Sequence, residues 1–295
     1  MAARPAPRQP AWVDRVEYPY PPRWMPVDGG TMHYLDEGDG PPVLFAHGTP
    51  SWSFLWRHLI SALRPLFRCV APDHLGFGLS RAEPGADLRP EAHAARLAAL
   101  AAHLGLERPH LVVHDVGGPI ALGPVIEGHL RAGRVVLFNT WLWSLLDERR
   151  LGRGARVLGS PLGRFLYLRL NFSARVLMPQ AAGKSAPLEP RAYRQYLAAQ
   201  GDRDARRGAF AIARSLVGSH AWMRSLWERR DRLRDLEALA IWGMEDPVVV
   251  PAFLARWREV WPHLAVREVP DAGHWVADVK GRELAPVVRG FLTGT

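Results

Sequence analysis

The spacing of apolar residues changes along the chain, and each change predicts an element. Short apolar runs bounded by Gly, Pro or Asp read as strands, and apolar residues recurring every three or four positions read as helices. RWMPV and TMHYLDE flank DGG, which predicts a hairpin. VLFAH (43–47), RCVAP, HLVVH and VVLFN (135–139) read as short strands. FLWRHLISALRPLF has helical spacing, and RPEAHAARLAALAAHLG is a helix closed by Gly105. Beyond Asn139 the strand pattern stops. The chain becomes rich in Arg, Leu and Ala, with helical periodicity broken at Gly159, Pro161, Pro179, Pro187 and Pro190. Strand and helix alternate again in ALAIWG (238–243), VPAFLARWREVWP, LAVREVP and a last helix over about 282–292. This order predicts an α/β fold, a mostly parallel sheet with helices on both faces. The core spans residues 21–140 and 236–295, interrupted by a helical cap over 141–235. Residues 1–20, rich in Ala, Pro and Arg, are expected to form a flexible tail. A cap inserted at a strand end sits over the carboxyl edge of the sheet, where open α/β sheets bind ligands, and so reads as a lid.

The 295 residues are 48% hydrophobic, enough for a sizeable core. No apolar run is long enough for a membrane span, and the opening MAARPAPRQP has no apolar h-region. The single cysteine, Cys69, rules out an intrachain disulfide and reads as a small core residue, so a cytoplasmic setting is expected. The formal charge is +9, and every basic residue but Lys184 and Lys280 is arginine. These arginines are scattered and often stand beside acids, as in WERRDRLRDLE. That pattern fits a solvated surface, and no nucleic-acid motif accompanies it, so neither a nucleic-acid nor a membrane partner is expected. No HxH, CxxC or clustered His–carboxylate pattern suggests a metal, and no cofactor is expected.

Three acid–base residues fall at corresponding strand ends: Asp115 after LVVH, Asp246 after AIWGME, and His274 in VPDAGHW. Nucleophile, acid and histidine in this order match the α/β-hydrolase arrangement. The nucleophile turn of that arrangement reads G-x-S-x-G, whereas here it is Val113-His114-Asp115-Val116-Gly117. A carboxylate in place of serine changes the chemistry. Attack on a saturated carbon gives an ester, which water can cleave, rather than an ether. His274 would deprotonate that water, and Asp246 would orient the imidazole. Backbone N–H groups of Val116 and Thr49 are the expected oxyanion donors. Pro50 in His-Gly-Thr-Pro is a candidate cis proline. Glu245 and Asp271 compete with Asp246 for the acid role. Asp73-His74 in APDHLGFGLS reads as a turn rather than a second dyad.

HGTPSWSFLWR, APDHLGFGLS, VVHDVGGPIAL, IWGMEDP and DAGHWV resemble the block motifs of the haloalkane dehalogenase family, within the α/β-hydrolase superfamily. GSPLGRFLYLRLNFSARVLMP and AYRQYL resemble its cap segments, so the resemblance covers about residues 23–292. It implies Asp115 as nucleophile, His274 as base and Asp246 as acid, acting on a small, largely apolar substrate. In another subfamily the acid follows the strand before the cap, but Asn139 and Thr140 stand there.

Two positions depart from the resemblance. Family dehalogenases carry a halide-binding Trp directly after the nucleophile, and often an Asn after His-Gly. Here these positions are Val116 and Thr49. Trp141, Trp143 and Trp222 are possible replacement donors, and with Leu177 they are the expected pocket residues. Epoxide hydrolysis is the alternative reaction. It uses the same triad but needs hydroxyl donors for an oxygen leaving group, for which Tyr167, Tyr193 and Tyr196 are available. Promiscuous ester hydrolysis and a non-catalytic ligand-binding homologue complete the alternatives.

Overall fold

The computed structural model describes residues 9–148, 157–158 and 160–295. Nine strands form one sheet: β1 (Arg23–Val27), β2 (Gly30–Glu37), β3 (Pro42–Ala46), β4 (Arg68–Pro72), β5 (Arg81–Ala82), β6 (His110–Asp115), β7 (Val135–Thr140), β8 (Ala238–Gly243) and β9 (Ala265–Val269). Their order is β1-β2-β4-β3-β6-β7-β8-β9, with β5 also paired to β2. The hairpin β1–β2 turns at Asp28-Gly29, with Val27 opposite Gly30. β2 pairs antiparallel with β4, and from β4 to β9 the sheet is parallel. The strands β3, β6, β7 and β8 are almost wholly buried, which is why they read as continuous apolar runs rather than as alternation.

Helices α1 (Arg57–Leu63), α2 (Pro90–His103) and α3 (Gly117–Glu127) connect the early strands. The helix expected over VPAFLARWREVWP shortens to Phe253–Trp257 and continues as turns. Between β7 and β8 the described residues contain only helices, turns and loops, with helices at Pro161–Leu170, Pro190–Ala199, Arg207–Gly218 and His220–Glu228. Pro161 and Pro190 sit in first turns, where a missing N–H costs nothing. Gly159 lies outside the described residues. A π-helical turn at Ser173–Leu177 leads into the short helix Met178–Ala181.

The tail expected over residues 1–20 needs correction. Residues 1–8 lie outside the described part, but Val13, Tyr18 and Tyr20 are buried. The Tyr18 and Ser53 hydroxyls are 2.5 Å apart, and Asp14 accepts from Arg191 of the insertion at 2.5 and 2.9 Å. Aromatic burial and this ion pair order a segment whose composition alone suggested mobility. Cys69 is buried in β4, and burial pushes its thiol up to about 12. No helix among the described residues is long and apolar enough to cross a membrane.

Candidate active site

β6 ends at Asp115 in a left-handed conformation, φ +54°, before α3 begins at Gly117. A non-glycine residue there is strained, and such strain persists only where its surroundings fix it. Neighbouring small residues do so. A Cβ at Gly48 would lie 2.2 Å from the Asp115 Cβ, and one at Gly117 would lie 2.1 Å from the Ala46 carbonyl oxygen. The Thr140 hydroxyl donates to the Asp115 backbone carbonyl at 2.5 Å. The sharp turn thus projects the carboxylate off the carboxyl end of the sheet.

Three strand-end loops bring Asp115, His274 and Asp246 together. His274 Nδ1 lies 2.6 Å from Asp246 Oδ2, and Nε2 lies 3.7 Å from Asp115 Oδ1. The second distance is too long for a hydrogen bond, so Nε2 is available to a third atom. All three side chains are buried. Asp115 Oδ2 accepts the Thr49 N–H at 2.7 Å, and the Val116 N–H helps to lower the carboxylate pKa. One of the two expected oxyanion donors, the Thr49 N–H, therefore bonds the carboxylate itself. The Thr49–Pro50 bond is cis.

Burial raises the Asp115 pKa against the lowering pull of His274 and the two N–H groups. Burial disfavours charge on His274, but Asp246 and Asp115 outweigh it, and the imidazole pKa is raised. Asp246 Oδ1 accepts the N–H groups of Val248 and Val249 at 2.8 and 2.9 Å, which fixes the carboxylate plane. Behind the triad, His114 Nε2 lies 2.9 Å from the His274 carbonyl oxygen.

Asn139 adds a contact that sequence reasoning missed. Its amide donates to Asp246 Oδ2 at 2.8 Å and to the Gly243 carbonyl at 3.2 Å, and it accepts the Gly243 N–H at 2.8 Å. The signal was its place at the end of β7, level with the other site residues. Of the competing acids, Asp271 pairs with Lys280, and Glu245 binds the N–H groups of Lys184 and Ser185. Asp73 accepts the N–H groups of Ser53 and Leu79 and faces His33 Nδ1 at 2.9 Å, the bonding of a turn.

The expected pocket residues divide. Trp222 donates its indole N–H to Glu127 at 3.0 Å, and its ring covers Gly123 of α3. Trp143 is enclosed by Trp227, Phe253 and Trp257, with ring centroids at 5.1, 5.0 and 5.6 Å. Trp222 thus spends its indole donor on Glu127, whereas the Trp143 indole N–H is buried with no hydrogen-bond partner among the described residues. Trp141 and Leu177 pack with the cluster that contains Val116. Among the tyrosines, Tyr193 donates to the Ala174 carbonyl at 3.0 Å and Tyr196 donates to Asp278. Tyr167 is buried in the same cluster as Val116. Burial pushes its hydroxyl well above the usual phenol range, a hydrogen bond with Ser173 opposes this, and the charge of Asp115 adds to it.

Known proteins carry the same frame. Residues 41–280 match the family model described as alpha/beta hydrolase fold. Haloalkane dehalogenase 2 of Mycobacterium tuberculosis is 36% identical over 277 residues, covering 93% of this chain and 96% of that protein. A cis-3-alkyl-4-alkyloxetan-2-one decarboxylase of Xanthomonas campestris is 33% identical over 299 residues, covering 93% and 97%. The crystal structure of the haloalkane dehalogenase DbeA from Bradyrhizobium elkani superimposes with a TM-score of 0.79 at 26% identity, covering 93% and 98%. By family match and by relatives aligned over nearly its whole length, the chain belongs to the α/β-hydrolase fold family, in the dehalogenase-like group of hydrolases.

Proposed function

We propose that the chain hydrolyses small, largely apolar substrates through a covalent ester on Asp115, with carbon–halogen bonds as the first substrate class. The observation that carries this reading is the disposition of the Asp115 carboxylate. Oδ2 is held by the Thr49 backbone N–H while Oδ1 faces His274 Nε2 at 3.7 Å. Oδ1 attacks a saturated carbon and the leaving group departs with the bonding electron pair. His274 Nε2 then takes a proton from water, and the resulting hydroxide adds to the Asp115 Cγ. The N–H groups of Thr49 and Val116 hold the oxyanion on Oδ2. Collapse releases the alcohol and restores a carboxylate that now contains one oxygen from water. Asp246 stabilises the imidazolium formed in this step. The helices between β7 and β8 act as a cap, with Trp141 and Leu177 in the pocket wall.

A second reading is opening of a strained carbon–oxygen ring, an epoxide or an oxetan-2-one. Two observations favour it. Val116 offers no indole for a halide, and Tyr167 carries a hydroxyl into the buried cluster that contains Val116 and Trp141. The relation to an oxetan-2-one decarboxylase points the same way.

Single turnover in ¹⁸O-water with 1-haloalkanes, terminal epoxides and cis-disubstituted oxetan-2-ones tests both readings. Halide release, diol formation or decarboxylation identifies the substrate class. The first alcohol or diol formed carries oxygen from Asp115, so label appearing in it at once overturns the ester pathway. Asp115→Asn abolishes turnover, and survival of turnover refutes the nucleophile assignment.

A further inference from the structure

The loops that carry the acid and the base are both fastened to one short stretch of the helical insertion. The N–H of His274 donates to the Ala181 carbonyl at 2.8 Å, and that of Gly273 donates to the Ala182 carbonyl at 3.2 Å. The Trp275 indole N–H donates to the Met178 carbonyl at 2.8 Å. The backbone of His274 is thus anchored on the insertion. The other end of the same stretch is held from the acid loop. Glu245, adjacent to Asp246, accepts the N–H groups of Lys184 and Ser185 at 2.6 and 2.9 Å and the Ser185 hydroxyl at 2.5 Å. Those bonds hold its carboxyl below the usual range. The Glu245 N–H in turn donates to the Ala272 carbonyl at 2.9 Å, which closes the loop.

The stretch has little room to rearrange. Gly183 adopts φ +83°, and a Cβ there would lie 2.6 Å from Glu245 Oε2 and 3.0 Å from the Gly273 nitrogen. Gly273 is equally tight, since its Cβ would lie 2.5 Å from the Ala182 carbonyl carbon. Residues 181–185 therefore form a strap with Glu245 on one side and His274 on the other.

We propose that Glu245 is a positioning residue that acts through the strap 181–185 to hold the backbone of His274, and with it the direction of Nε2 toward Asp115. The inference rests on the proposed ester pathway. Glu245 does not face the imidazole. It fixes the carbonyls to which Gly273 and His274 donate. A misplacement of about 1 Å in a reacting group costs roughly 10²-fold in rate. The effect falls on ester hydrolysis, which needs His274, and not on alkylation, which needs only Asp115.

The test measures both half-reactions by rapid quench and mass spectrometry, with 1-bromobutane and a cis-disubstituted oxetan-2-one as parallel probes. Amide hydrogen exchange over residues 271–276 is followed in the same variants without substrate. Glu245→Ala should slow ester hydrolysis about 10- to 100-fold and leave alkylation within about twofold. It should also speed exchange at Gly273 and His274 at least ~10-fold. Glu245→Gln keeps a carbonyl oxygen for the strap N–H groups and should recover most of both effects. The milder Ser185→Ala, which removes one bond, should give a smaller change of the same kind. The pH midpoint of ester hydrolysis should stay in place in all three variants, because the effect is geometric. Unchanged exchange and hydrolysis in Glu245→Ala and Ser185→Ala overturn the inference. So does a shifted pH midpoint with unchanged exchange, which assigns Glu245 a purely electrostatic effect. A failure of the ester pathway itself shows separately, as no adduct on Asp115 in His274→Gln.

Discussion

Replacing Asp246 by Asn probes the site without changing its volume, and the surrounding bonds dictate how the new amide must sit. Oδ1 accepts two backbone N–H groups, from Val248 and Val249, so the amide oxygen must take that position. The amide NH₂ is then forced into the position of Oδ2, facing His274 Nδ1 and the Asn139 amide. Nδ1 can meet a donor only by giving up its proton, so the proton moves to Nε2 and the imidazole can no longer act as a base. Asn139 cannot turn over to help without breaking its bond from the Gly243 N–H. In nucleophile–His–Asp triads this change of tautomer lowers kcat about 10⁴-fold, roughly 5.5 kcal/mol of barrier. The buried donor–donor contact adds about 1–3 kcal/mol of instability. Loss of the charge that raises the His274 pKa also moves the imidazole midpoint to lower pH. The expected result is an ester on Asp115 that forms at close to the wild-type rate and persists, detected as a covalent mass increase after quenching. Turnover within tenfold of wild type with no accumulating adduct would refute the reasoning.

Asn139→Ala removes the donor to Asp246 and the acceptor for Gly243, and places alanine at φ +29°. It should cost about 1–3 kcal/mol in urea unfolding, and an unchanged midpoint would contradict the assigned bonds. Burial holds His47, His74, His110 and His114 below the usual imidazole range, His58 at about 4 and His93 at about 3. Below about pH 6.5 the unfolded chain therefore binds more protons, and each such histidine removes up to about 1.4 kcal/mol of stability per pH unit. The raised pKa of His274 opposes this with one imidazole against six. Stability should fall from pH 7.5 to 5.5 by chemical denaturation, and a flat profile would contradict the buried neutral histidines. Arg57 and Asp278 form a buried two-point ion pair, at 2.7 and 3.2 Å, that joins α1 to the segment after His274. Asp278→Asn strands part of that charge and should cost about 3–5 kcal/mol, so a calorimetric Tm within 1 °C of wild type would count against it.

Much of the fold was legible because its central strands are buried on both faces and so appear as apolar runs. ALAIWG became β8 without adjustment, and VVLFN became β7 with one residue added. Boundaries failed where tertiary contacts outweighed local pattern. VPAFLARWREVWP kept helical spacing but only Phe253–Trp257 is helical, because Trp257 and Trp261 bond the Thr140 and Leu233 carbonyls. The tail was misread because the Tyr18 and Tyr20 hydroxyls meet Ser53 and the Arg57 carbonyl, partners far along the chain, and the rings are buried in the packed core. Trp143 and Trp222 carry the same indole as a ligand-binding tryptophan, and nothing in composition tells a packing ring from a pocket wall.

The sequence alone determined the α/β order, the place of the insertion and the three residues of the candidate site. Each of these is carried by periodicity or by residue type at a strand end, which are local properties. The tertiary structure decided what local pattern cannot hold. It set Asn139 against Asp246, withdrew Tyr193 and Tyr196 from the site, and tied His274 to residues 181–182 of the insertion. These contacts join residues far apart in the chain through single hydrogen bonds. Such bonds have no period, and a buried polar group takes whichever partner the closed fold presents.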